Sequence, residues 1–156
     1  MRVLTKCRAV PWAGFLSRIG LAAVWFIAGW AKIQDPGTAA YAVRAYRLLP
    51  DSLVSPVGYG IPALELCLAA LLLTGLKIRF AAVLSAVLLV GFLIAIVQAW
   101  ARGMSIDCGC FGGGGEVDPG DTRFAVEILR DLCFLAMSAW LIWRPRNPFS
   151  LDSYLR

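Results

Sequence analysis

Two cysteines one glycine apart, Cys108-Gly109-Cys110, are the residues of this 156-residue chain whose type and spacing point most directly to chemistry. Thiolates are nucleophiles, and two thiols within reach of each other can form, exchange and release a disulfide. A bridge between them would close a very small ring, for which Gly109 supplies the backbone freedom, and strain of that kind makes a disulfide labile and oxidising. Gly112 to Gly115 follow at once and would let the loop tip swing toward a partner's thiols. Asp107 would disfavour a thiolate at Cys108 by charge, and Phe111 would shield Cys110 on folding back, so the sulfur attacked first stays open. The chain has no histidine, which removes Ser-His and Cys-His nucleophiles, His-ligated metals and the usual proton shuttle. No metal is expected, because zinc or copper would need three or four ligands in reach. The competing role for the two cysteines is static, each bridged to another part of the fold or to a second subunit.

The elements that must hold this pair are dictated by composition. Hydrophobic residues make up 60% of the chain and charged ones 16%, and the mean hydropathy is +0.73. Fifteen Lys plus Arg and ten Asp plus Glu cannot cover a soluble fold of this size, so a bilayer must take the apolar surface. Nucleic acid is not an expected partner. Four stretches are long enough to cross a hydrocarbon core, about 20 apolar residues each: roughly 12–31, 57–76, 80–100 and 124–143. Arg18 sits near the start of the first, where it could snorkel to the head groups. The first stretch also fits a secretory signal, the less favoured reading. The last is the least regular, with Glu127, Arg130 and Asp131 in its first half.

Eight Lys and Arg fall on the N-terminus, the 77–79 loop and the tail, against five on the loops 32–56 and 101–123. By the excess of cytoplasmic basic residues, both termini should face the cytoplasm and the cysteine loop should lie outside, where disulfides persist. The expectation is thus an all-α membrane protein: one domain, 1–156, folded as a four-transmembrane-helix bundle. Between the first two spans, Asp35-Pro36-Gly37 and Pro50-Asp51-Ser52 bracket a short surface helix with Val43, Tyr46 and Leu49 at helical spacing. Its Arg44 and Arg47, three apart, would share a face able to hold anionic lipid or an anionic ligand.

Charges inside the spans should face the interior and pair. Glu65 and Arg130 lie at similar depths, roughly 12 Å and 9 Å along their helices, with Glu127 competing for Arg130 one turn away. Cys67 and Cys133 also match in depth, roughly 15 Å and 14 Å, which would allow an electron relay across the bilayer. Helix geometry lets only one of these two pairings hold, and packing as small hydrophobes is preferred for both thiols. Cys7, on the cytoplasmic side, should stay reduced.

Several segments resemble one family. They are Ala28-Gly29-Trp30-Ala31-Lys32-Ile33-Gln34-Asp35-Pro36, Ala42-Val43-Arg44-Ala45-Tyr46-Arg47-Leu48-Leu49-Pro50, Pro62-Ala63-Leu64-Glu65 and Asp107-Cys108-Gly109-Cys110-Phe111-Gly112. Together they look like the methylamine utilisation protein E family of DoxX-like four-helix membrane proteins, over roughly residues 15 to 143. The resemblance implies a multi-pass protein of the bacterial plasma membrane, linked to a thioredoxin-like partner and to disulfide formation in exported proteins. Other DoxX-like relatives imply a quinone as electron acceptor. Vitamin K epoxide reductase-type generators carry a second C-x-x-C pair, and this chain has none.

The functional expectation is a membrane thiol-disulfide oxidoreductase. Cys108 and Cys110 exchange disulfides, Cys67 and Cys133 are the candidate relay, and Glu65, Arg130, Arg44, Arg47 and Lys32 form a polar or quinone-binding pocket. The alternative is a membrane scaffold or assembly factor with structural loop cysteines and a basic face for lipid or a partner.

Overall fold

The computed structural model describes residues 3–144, with side chains from residue 12. Its first helix, α1, runs Val3–Gln34 and stops where proline forces it to. The residue before a proline is pushed out of helical geometry, and Asp35 accordingly takes φ −135°. There it caps α2 (Pro36–Ala45), its carboxylate accepting the Thr38 N–H at 3.1 Å and the Thr38 hydroxyl at 2.6 Å, with Pro36 in the first turn, where no N–H is needed. Those two bonds favour the ionised form and hold the exposed Asp35 carboxyl below its ordinary range.

α3 (Asp51–Thr74) ends on Gly75 in the left-handed region, and α4 (Ile78–Ala101) begins after Lys77, also left-handed. α3 starts earlier than the apolar run alone implied, because Pro56 and Pro62 lie inside it rather than ending it. α5 spans Phe124–Trp143. Among the described residues, three helical segments are long and apolar enough to cross a membrane: Trp12–Gln34, Asp51–Thr74 and Ile78–Ala101. α5 is of comparable length but carries Glu127, Arg130 and Asp131.

α1 packs chiefly on α3 and α5, and α4 on α5 and α3. The core between them holds Leu21, Trp25, Leu68, Leu72, Ile78, Leu89 and Leu141, and the Trp25 indole donates to the Ser85 hydroxyl at 2.9 Å. Val90, Ile94, Val97, Leu129 and Leu132 point outward and are exposed, the apolar exterior that a lipid solvent requires. Arg18 is 2% exposed, with its guanidinium over the Phe15 ring.

The short helix of the first loop forms as expected and packs on the bundle. α2 buries Ala39, Ala42 and Ala45 and lies on α3, close enough that a Cβ at Gly58 would come within 2.7 Å of the Ala40 Cα. Small residues on both helices permit that approach. α2 also ends at Ala45, and Arg47 takes φ 51°, so Arg44 and Arg47 share no helix face. An unforeseen two-stranded hairpin, β1 (Ile106–Asp107) with β2 (Gly115–Glu116), closes the loop between α4 and α5.

Candidate functional site

The hairpin exists to present Cys108-Gly109-Cys110. Antiparallel pairing of Ile106 with Glu116 and of Asp107 with Gly115 anchors its base, and Ile106 is buried against Ile96, Ala99 and Phe124. The chain between the strands therefore turns within seven residues, and Gly109, Gly112, Gly113, Gly114 and Gly115 all take positive φ, open to glycine at no steric cost. Gly114 shows the second reason for glycine: a Cβ there would lie 2.7 Å from both the Ala42 Cβ and the Gly109 Cα. The glycine run thus seats the loop against α2, where the sequence alone had suggested a swinging tether.

Cys108 and Cys110 are joined by a disulfide, with their Cα atoms 5.4 Å apart. Cys108 is 8% exposed and Cys110 half-buried, so the two sulfurs are not equivalent toward an outside reagent. Cys108 is held from two sides. Its carbonyl accepts the Tyr46 hydroxyl at 3.2 Å, and its N–H donates to the Glu127 carboxylate at 3.4 Å. Burial, reinforced by the acids Glu127, Asp107 and Asp131, pushes the Tyr46 phenol well above its ordinary value, which keeps it a donor. Phe111 turns toward α5, its ring 4.8 Å from the Arg130 guanidinium.

The expected Glu65–Arg130 pair does not form. Glu65 is fully buried and bonded to Lys32 of α1, while Arg130 pairs at 3.0 Å with its neighbour Asp131. Depth matching had ignored α1, which packs on α3 more extensively than α5 does and brings its own cation. Glu127 likewise does not compete for Arg130 but turns to the cysteine loop.

Beneath the disulfide lies a cavity of about 320 Å³. Both cysteines and Gly109 border it at one end and Lys32 is among its lining residues, with Ala39, Ala42, Val43 and Tyr46 from the α2 region, Val57, Gly58 and Ile61 from α3, and Val87, Leu88, Gly91, Phe92 and Ala95 from α4. The walls are almost wholly apolar, and the ammonium of Lys32 lies 5.7 Å from the Phe92 ring centre.

The structure thus brings together Cys108, Cys110 and Lys32 around one cavity, with Glu65 behind Lys32. It leaves Arg44 and Arg47 outside, each exposed and paired, Arg44 with Asp51 at 3.5 Å and Arg47 with Glu116 at 3.3 Å. Cys67 and Cys133 are free and exposed on outer helix surfaces, neither packed in the core nor bonded to each other. The side chain of Cys7 lies outside the described residues. Tyr46, Glu127 and Asp131 were read in the sequence for their spacing or charge but not as residues of the site. The available signal was two acids four residues apart on one face of an otherwise apolar helix, which demands an internal purpose.

Comparison with known proteins follows the same residues. The family profile described as "Methylamine utilisation protein MauE" matches residues 10–144. A curated relative, "Methylamine utilization protein MauE" of Methylophilus methylotrophus, is 35% identical over 102 residues, 64% of this chain and 53% of that protein. The chain therefore spans about half the length of the curated relative it matches. No solved structure matches. With a profile match that runs from within α1 through α5 and includes the cysteine loop, the chain belongs to the MauE family.

Proposed function

We propose that this protein is a membrane thiol-disulfide redox protein that exchanges its Cys108–Cys110 bridge with the thiols of an extracytoplasmic thioredoxin-like partner. The observation that carries the reading is the placement of that bridge at the boundary between a loop surface and a cavity running into the helices, with one sulfur more open than the other. The partner's thiolate attacks Cys110, the Cys108 sulfur leaves, and a second partner thiol resolves the mixed disulfide. In the relative, the printed name ties the protein to methylamine utilisation, and we carry that setting over as the context in which exported proteins acquire their disulfides here.

α5 completes a fourth span in this reading, with both termini in the cytoplasm of a bacterium and the hairpin outside the plasma membrane. The distribution of Lys and Arg and the run of acids in the cysteine loop support that sidedness. The cavity suits a quinone: apolar walls for the ring and tail, and the Lys32 ammonium, anchored by Glu65, as a donor to a carbonyl oxygen. A quinone bound there would supply an acceptor for two electrons. The chain's part is to bring the sulfurs and Lys32 to the same space.

Trapping tests the reading. In cells carrying Cys108→Ala, Cys110 is a free thiol that attacks the disulfide of the oxidised partner, the exchange run in reverse, and no Cys108 thiol is present to resolve the mixed disulfide, so non-reducing gels of membranes should show a reducible adduct to a second protein. Cys110→Ala should show little, and the double variant none. A scaffold with merely structural cysteines gives no adduct with any of the three, and that outcome rejects the redox reading.

A further inference from the structure

Opening the Cys108–Cys110 bridge leaves negative charge on a sulfur that water reaches poorly, since Cys108 is only 8% exposed. With no histidine in the chain, a carboxyl group is the available proton carrier at neutral pH. One is in contact: Glu127, 7% exposed, whose Oε1 accepts the Cys108 N–H at 3.4 Å. Its side chain also lies beside that of Asp107, which is half-buried at the base of the hairpin and so leads toward the outside. The other titratable or charged groups around Glu127 are Tyr46, just past α2, and, on its own helix, Asp131 one turn further along the same buried face and Arg130, which pairs with Asp131 and whose guanidinium is turned over Phe111.

We propose that Glu127 hands a proton to the Cys108 sulfur as the bridge opens and takes it back as the bridge closes, with Asp107 as its route to outside water. This deepens the disulfide-exchange reading and rests on it. A partner thiolate forms a bond to Cys110 Sγ, the bond between Cys110 and Cys108 breaks, and its electron pair leaves on Cys108 Sγ, which receives the Glu127 proton. The partner's second thiolate then attacks the partner's own sulfur in the mixed disulfide and releases Cys110. The partner's two thiols become a disulfide, and the two protons they lose equal the two gained by Cys108 and Cys110. Glu127 is a positioning residue for the Cys108 amide as well, and Gln at 127 preserves that acceptor while removing the proton.

The test is the rate at which dithiothreitol opens the bridge in purified protein in lipid nanodiscs, between about pH 5 and pH 9, divided by the thiolate fraction of the reagent. The corrected rate should fall about tenfold as Glu127 loses its proton. Glu127→Gln should give a flat profile at the lower rate, and Glu127→Asp should restore the slope. A Glu127→Gln profile that keeps the native slope, or is slowed equally at every pH, overturns the proposal. Should that variant fail to fold, the native protein still decides: a rate slowed about twofold or more in heavy water at low pH supports it, and no solvent isotope effect at either limit refutes it. A protein that traps a partner through Cys110 yet shows a flat native profile fails here alone, whereas one that neither traps a partner nor reacts with the dithiol fails at the exchange reading itself.

Discussion

At the scale of single residues, the pair that decides most is Lys32 with Glu65. Glu65 is 0% exposed and Lys32 9%, so neither charge could sit where it does without the other. Removing one partner of such a buried pair leaves an uncompensated charge and costs about 3–5 kcal/mol, while replacing both by apolar side chains of similar volume costs far less. Lys32→Met should therefore lower the unfolding free energy in detergent by about that amount, and adding Glu65→Met should recover most of it. Equal losses in the single and double variants would show that the pair does not act as a unit. Residue types were legible in the sequence here, but partners were not. Glu65 was read as a buried charge needing a cation and was matched by depth to Arg130, whereas the choice of Lys32 depends on α1 packing against α3. Arg44 and Arg47 failed for a local reason: a left-handed φ at Arg47 ends the helical register that would have aligned them.

At the scale of elements, the helices and their order were legible, because apolar runs of membrane length leave few alternatives. The α2 contacts and the hairpin were not. α2 is only 10 residues long, and its docking rests on Ala39, Ala42, Ala45 and Gly58, whose smallness reads equally well as helix propensity. The glycine run read as flexibility, and folds instead as a tightly seated turn, because close approach and positive φ leave the same mark in a sequence as a loose tether. What these elements create together is the cavity between α2, α3, α4 and the bridge. Gly91 of α4 lines it and has open space where a Cβ would stand. Gly91→Leu should obstruct it without loss of thermal stability, since Gly91 is exposed at its edge with nothing for the new side chain to strike, and the change replaces a helix-interior glycine. Quenching of tryptophan fluorescence by ubiquinone-1 should saturate in the native protein and weaken at least about tenfold in the variant. Unchanged quenching in a stably folded Gly91→Leu protein would place the quinone elsewhere.

At the scale of the whole molecule, the proposed exchange needs a surface that meets a protein's thiols and an interior that meets a lipid-soluble acceptor, and the Cys108–Cys110 disulfide lies on the loop surface and borders the cavity. The outward-facing Cys67 and Cys133 have no place on that line, being free and exposed on the helix exteriors, so the chemistry should be confined to Cys108 and Cys110. Peptide mapping of the purified protein in lipid nanodiscs by mass spectrometry, with thiols alkylated before and after brief exposure to a reduced thioredoxin, tests that claim most directly. The expected result is a Cys108–Cys110 linkage that opens in the folded protein, with the alkylation of Cys67 and Cys133 unchanged. A linkage that stays closed in the folded protein and opens only after denaturation would make the bridge a structural staple and contradict the account.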